Sequence, residues 1–275
     1  MNVCSPEFFL GCCLAPILFH LLPGKLPRQL FLSALNLAFL STFISSRRSW
    51  VSFALFIAGT YFILWLIRRR PSGLLMFLSI IGVLAAFVLV KKYTFLEPLV
   101  PERIWDHHIE MIGLSYMLFR FIHVLVDTWQ GQLERCTLFS YANYQLGFFS
   151  LVAGPIQRYN DFHRYWELMD PGPGDRMQIL LAWNRLLTGM IKMGGLGPIV
   201  LYVNNSAGEN WGEQPSGQLL IRFLIFFYSY AIFLYLNFSG YMDIVIGCAR
   251  LFGFELPENF NWPFLARNVV DFWNR

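Results

Sequence analysis

Residues 71–90 read PSGLLMFLSIIGVLAAFVLV, twenty positions without one charged side chain. A bilayer's hydrocarbon core is about 30 Å thick and takes about 20 apolar residues in helix, so the run has spanning length. It is continuous rather than alternating, which argues against a barrel strand. Backbone in lipid must satisfy its own hydrogen bonds, and helix does so within one segment. The pattern repeats outward. Upstream, Phe8 to Gly24, Gln29 to Ser46 and Ser49 to Ile67 carry no Asp, Glu, Lys or Arg. Downstream come Ile109 to Val126 with Arg120 and His123, Cys136 to Gln157, Met177 to Ile191 with Arg185, Phe223 to Met242, and a short Ile244 to Phe254 with Arg250. The expectation is an all-α polytopic integral membrane protein with about eight membrane helices, some half-length or re-entrant, in one membrane domain over 1–275.

Composition agrees. Hydrophobic residues make up 56% and charged residues 14% of the 275, against about a quarter charged in soluble domains. Mean hydropathy is +0.48. The net charge of +4 is too small to suggest nucleic acid. Basic residues cluster between apolar runs, at Lys25 and Arg28, Arg47 and Arg48, Arg68 to Arg70, and Lys91 and Lys92. Four successive positive loops leave orientation unsettled, because adjacent loops should lie on opposite faces. The five cysteines show no zinc or redox spacing and read as small membrane-embedded hydrophobes, and no metal is expected. Phe8 to Leu22 lacks a positive leading region and reads as a retained first helix rather than a signal peptide. The longest polar stretches are Lys91 to His108, Arg158 to Arg176, which contains the turn Asp170 to Asp175, and Asn204 to Gln218.

Polar groups inside apolar segments are costly in lipid and face the bundle interior. Arg120, His123 and Asp127 fall at i, i+3 and i+7, and Asp243 and Arg250 are seven apart. A polar cavity and simple internal ion pairing both fit. Gly154-Pro155 breaks an apolar run before Arg158, and on physical grounds alone it reads as a helix end at the interface. Asn237 to Asp243 reads as a helix hairpin around Gly240, followed by an amide- and aromatic-rich turn in which Asn259 and Asn261 read as caps.

Those last residues resemble the signature region of the membrane-bound O-acyltransferases, and more narrowly their bacterial branch, which acetylates alginate and other exopolysaccharides or passes D-alanine to teichoic acid. The branch carries a pattern close to D-F-S-G-Y-x-D-x-A-x-G, then G-F-x-x-P-x-N-F-x-x-P, then D-F-W-x-R-W-H. Here Asn237 replaces the leading Asp, and Phe238, Ser239, Gly240, Tyr241, Asp243 and Gly247 follow. Gly253, Phe254, Pro257, Asn259, Phe260, Pro263, Phe264, Asp271, Phe272, Trp273 and Arg275 continue the match. Gly113 to Tyr116, Val126-Asp127, and Ala153 to Ile156 with Arg158, Tyr159 and Phe162 are similar to earlier motifs of the branch.

The resemblance implies acyl transfer from a thioester donor, acetyl-CoA or an acyl carrier, with no tightly bound cofactor. It implies a polysaccharide or teichoic acid acceptor reached through an extracytoplasmic partner protein, and a multi-pass location in the inner membrane. Asn259, Asn261, Asp271, Trp273 and Asp243, with Gly154, Pro155 and Arg158, would line the substrate pore. In the family a Trp-His pair follows D-F-W-x-R, and that His is the presumed base. None of His20, His107, His108, His123 or His163 matches it, so no catalytic residue is assigned, and a chain truncated before this motif and inactive alone is the expectation. Two other readings stay open: a non-catalytic truncated product or partner subunit on the same scaffold, and a transporter. The transporter is disfavoured because no internal repeat is visible.

Overall fold

The computed structural model describes residues 6–44, 46–91, 113–169, 176–209 and 216–275. The turn at Asp170 to Asp175, most of Lys91 to His108 and Trp211 to Pro215 lie outside the described residues. Every regular element among the described residues is helical: α1 (Pro6–Leu21), α2 (Lys25–Ser41), α3 (Arg47–Arg69), α4 (Gly73–Lys91), α5 (Leu114–Trp129), α6 (Leu138–Leu146), α7 (Tyr159–Leu168), α8 (Arg176–Met190), a π segment (Ile191–Leu196), α9 (Gly197–Gly208), α10 (Ser216–Leu251), a 3₁₀ turn (Pro263–Leu265) and α11 (Val269–Asn274). Among the described residues, four stretches are long and apolar enough to cross a membrane: α3, α4, the run through α8, the π segment and α9, and α10. Val83 is the one buried residue of α4, and only 6% of the most apolar window of α10 is buried within the chain. Apolar side chains left outward in this way need an apolar solvent, and lipid supplies it. The chain is an all-α membrane protein.

Contacts group the chain into two compact units, one containing Leu18–Pro171 and the other Asn2–Ile17 with Gly172–Arg275. In the first, α3 starts at Ser46, whose side chain accepts the Arg48 N–H at 3.2 Å. It ends with Arg68 and Arg69, which suit the negative end of the helix dipole. Thr137 and Ser140 close a capping box at the start of α6. The expected span over Cys136 to Gln157 is not one helix. It is α6, only 9 residues long, followed by irregular backbone to Arg158, where α7 begins.

Side chains from the surrounding helices replace the helical hydrogen bonds that this backbone lacks. Arg120, buried on α5, donates to the carbonyls of Tyr144 and Gln145, both at 2.9 Å, and to the Ser150 hydroxyl. Asn36 Oδ1 accepts the Phe148 N–H at 2.9 Å, and Tyr144 donates to the Gln157 carbonyl at 2.7 Å. Non-helical backbone is tolerated at membrane depth when it is buried and satisfied in this way. The face expected of α5 is split: Arg120 and Asp127 are buried but His123 is exposed. Three residues of helix turn about 60° short of a full revolution, which carries His123 off the buried stripe.

In the second unit, the expected hairpin around Gly240 is absent. α10 runs unbroken for 36 residues through Gly240. Its partner α8 continues through a π segment, in which the Gly197 N–H donates to the Lys192 carbonyl, five residues back. Pro198 explains the wide turn, since it has no N–H to give and its ring crowds the carbonyl four residues before it. Cys12 and Cys248, buried and free, place their sulfurs 3.1 Å apart.

Candidate functional site

The site begins with a close helix crossing. A Cβ at Gly189 would lie 2.5 Å from the Gly240 carbonyl oxygen and 2.7 Å from the Ile244 nitrogen. A Cβ at Gly240 would lie 2.9 Å from the Gly189 carbonyl. Small residues let the two backbones touch, as at helix interfaces in lipid generally. Gly240 is therefore a contact surface within a helix. Ala182, Leu186 and Gly189 are buried at i, i+4 and i+7 of α8, which turns the neighbouring Arg185 toward α10.

There a charge network forms. Arg185 Nε donates to Asp243 Oδ1 at 3.0 Å, and its two terminal nitrogens pair with the two oxygens of Glu258. Lys192, on the π segment, donates to Asp243 Oδ2 at 2.6 Å. Arg250 reaches Glu258 Oε1 at 3.4 Å rather than Asp243, its expected neighbour. Glu258 arrives because the chain reverses after α10. Gly253, at φ 82°, takes the left-handed position, and the Phe254 N–H closes back on the Ala249 carbonyl at 3.0 Å. The Arg185 guanidinium, hydrogen-bonded to Glu258, holds that carboxyl below the usual range. Burial opposes the shift, and the charges of Arg185 and Arg250 reinforce it.

Beside the network lies a cavity of about 300 Å³, bordered by Arg185, Lys192, Ser239, Asp243 and Asn259, with Trp262 at its edge. Its aromatic wall is fixed by Tyr235, which packs edge-on against Phe260 at 5.8 Å and Phe264 at 5.1 Å. Trp262 is 69% exposed and holds φ 51° and ψ 59°, a left-handed conformation that costs a non-glycine residue about 1–2 kcal/mol. Backbone outliers of this kind concentrate where a site over-determines the chain. Ser239 is 3% exposed, and its hydroxyl has no hydrogen-bond partner among the described residues.

The candidates named from sequence fall into three places. Asp243 and Asn259 border the cavity. Asn261 and Asp271 belong to a cluster around α11. The Asn261 N–H donates to the Arg275 carbonyl at 2.6 Å, and Asp271 Oδ1 accepts from Arg275 Nε at 3.0 Å. Asp271 Oδ2 also accepts the Arg267 N–H at 3.0 Å. Asn268, rather than Asn259 or Asn261, caps a helix there, accepting the Asp271 N–H at 2.8 Å. Trp273 is 80% exposed. Gly154, Pro155 and Arg158 belong to the first unit, the first two buried and Arg158 exposed at the start of α7. The helix end expected there lies earlier, at Leu146. Sequence reasoning saw Arg185 only as a charge in an apolar run and missed Lys192 and Glu258. The i, i+7 spacing of Lys192 and Arg185 on one segment was the available clue.

No family model matches the chain. Comparison with curated proteins does find relatives. Teichoic acid D-alanyltransferase of Bacillus subtilis (strain 168) is 27% identical over 219 residues, 76% of this chain and 52% of the relative. The probable alginate O-acetylase AlgI of Azotobacter vinelandii is 28% identical over 178 residues, 62% of this chain and 32% of the relative. The peptidoglycan O-acetyltransferase of Helicobacter pylori (strain ATCC 700392 / 26695) is 27% identical over 188 residues, 67% and 32%. These relatives are all membrane-bound O-acyltransferases. The chain spans between about a third and a half of their length. With its apolar helices, the homology makes it a multi-pass membrane protein, and the bacterial inner membrane fits.

Proposed function

We propose that this chain forms the membrane scaffold of an O-acyltransferase that moves an acyl group, acetyl first among candidates, from a thioester donor to a hydroxyl of an exported cell-surface polysaccharide or teichoic acid. One observation carries the reading. Ser239, Asp243 and Asn259, scattered along the motif region, meet residues of α8 and the π segment around one cavity. The donor is acetyl-CoA or an acylated carrier, and an extracytoplasmic partner presents the acceptor. Transfer needs a base to take the hydroxyl proton, a role suited to histidine near neutral pH. None of the cavity's bordering residues is a histidine. This reading therefore takes its base from outside the site described.

The test is reconstitution in lipid nanodiscs with a radiolabelled acetyl thioester. The 275-residue chain is expected to bind the thioester without turnover. The chain extended by the remaining portion of an acyltransferase relative is expected to transfer label to polysaccharide. Turnover by the unextended chain would overturn the external base. Absence of both binding and transfer in the extended chain would overturn the reading itself.

A further inference from the structure

The cavity bordered by α8, the π segment and α10 carries two polar side chains with hydrogen-bonding capacity to spare, Ser239 and Asn259. All four carboxylate oxygens of Asp243 and Glu258 are already engaged, by Arg185, Lys192 and Arg250. Two cations and two carboxylates border the cavity, so its wall is balanced in charge. Outside that network two donors, on Asn259 and Ser239, lack a strong acceptor. Asn259 gives its amide N–H only to the thioether of Met242, at 3.4 Å, and thioether sulfur is a weak acceptor.

Ser239 is the sharper anomaly. A serine inside a helix commonly bonds back to the carbonyl one turn earlier. Ser33, Ser52 and Ser79 do so, at 2.7, 3.0 and 2.7 Å. Ser239, although buried, does not. A buried hydroxyl without a partner is costly, and such a group in a native structure calls for a ligand or a strain to explain it.

We propose that Ser239, with Asn259 beside it, cradles the carbonyl oxygen of a neutral acyl group. An anion would find the cations already neutralised. A carbonyl oxygen accepts up to two hydrogen bonds, and the Ser239 hydroxyl and the Asn259 amide are two donors bordering the same cavity. The assignment rests on the acyl-transfer reading for the identity of the ligand, a thioester, and on the cavity alone for its chemistry.

The probe is S-acetylpantetheine labelled with ¹³C at the carbonyl, added to the full chain in nanodiscs. Binding is followed by equilibrium dialysis and by the infrared carbonyl stretch. The wild type is expected to bind it with the stretch moved to lower wavenumber, as hydrogen bonding requires. Ser239→Ala is expected to return most of that shift and to bind about three- to tenfold more weakly, the worth of one net hydrogen bond. Asn259→Asp, at an exposed position that tolerates the change, replaces a donor by an acceptor and is expected to weaken binding by at least as much. A thermal midpoint no lower than wild type shows that Ser239→Ala still folds. Failure of the wild type to bind, or binding with the same stretch and affinity in both variants, overturns the cradle. If the extended chain nevertheless transfers acetyl, the acyl-transfer reading stands without it. A shifted stretch that depends on Ser239, in a chain that transfers nothing when extended, keeps the cradle and removes the reaction.

Discussion

Two regions of this chain place polar groups among apolar helices, and they spend them differently. Around residues 144–158, Arg120 donates to two of the last carbonyls of α6, Asn36 accepts the Phe148 N–H, and Tyr144 donates to the Gln157 carbonyl. One acceptor there, Gln145 Oε1, is left without a partner among the described residues. At the crossing of α8 and α10, the charges satisfy one another and a buried donor, Ser239, is left over beside a cavity. A polar group in an apolar segment is structural when its bonds are used locally. It points to a ligand when a buried donor is left without a partner beside a cavity. The motif match in both regions could not make that distinction, and the hydrogen bonds do.

The largest expected effect comes from breaking the first region. Arg120→Met leaves the Tyr144 and Gln145 carbonyls without their donor in a buried site, at about 1–3 kcal/mol for each unsatisfied group. The expected outcome is a loss of about 3 kcal/mol or more, read as a lower thermal midpoint in detergent. Arg185→Met should cost about 1 kcal/mol or less, because Lys192 still holds Asp243, Arg250 still reaches Glu258, and the network is partly exposed. Equal losses would remove the contrast.

Next in size is Gly189→Ala. Its methyl group meets backbone on α10, and overpacking of this kind costs about 1–3 kcal/mol. It should also loosen the cavity, seen as faster labelling of a cysteine placed at Asn259. Smaller again is a pair of serine-to-alanine changes with opposite signs. Ser140 completes a helix cap and bonds Tyr159 at 2.7 Å, so Ser140→Ala should destabilise by about 1 kcal/mol. Ser239→Ala removes an unpartnered hydroxyl and should be neutral or stabilising in the absence of ligand. A destabilised Ser239→Ala would mean the hydroxyl is spent at home after all.

The smallest effect is on pH. Glu258 has a folded-state value below its unfolded one, so its stabilising contribution is complete above the ordinary carboxylate range, near pH 4.3. It is lost as pH falls through the depressed value. The wild type should therefore lose slightly more stability between pH 6 and pH 3 than Glu258→Gln, in thermal scans across that range.

The spans were legible where charge-free runs were long. α3 and α4 lie within a few residues of where hydropathy puts them. The errors came from residues whose local preference is overridden by tertiary contact. Gly240 signals a break, yet it keeps α10 helical because a glycine is what the approach of Gly189 requires. Cys136 to Gln157 is apolar enough to span, but Arg120 offers its carbonyls a better partner than the helix does. Asp243 and Asn259 were legible through motif spacing. Arg185 and Glu258 are 73 positions apart, and nothing local to either names the other. Ser239 stood in the motif, but its missing bond is visible only in three dimensions.

The most direct test of the acyl site is photolabelling. An acetyl-thioester analogue carrying a diazirine on the acyl methyl is bound to the full chain in nanodiscs, irradiated, and mapped by mass spectrometry. Label is expected on α10 and the segment after it, at Ser239, Met242 or Trp262, and it should be displaced by unlabelled thioester. Label that maps instead to residues 147–158, or that unlabelled thioester fails to displace, would contradict the account.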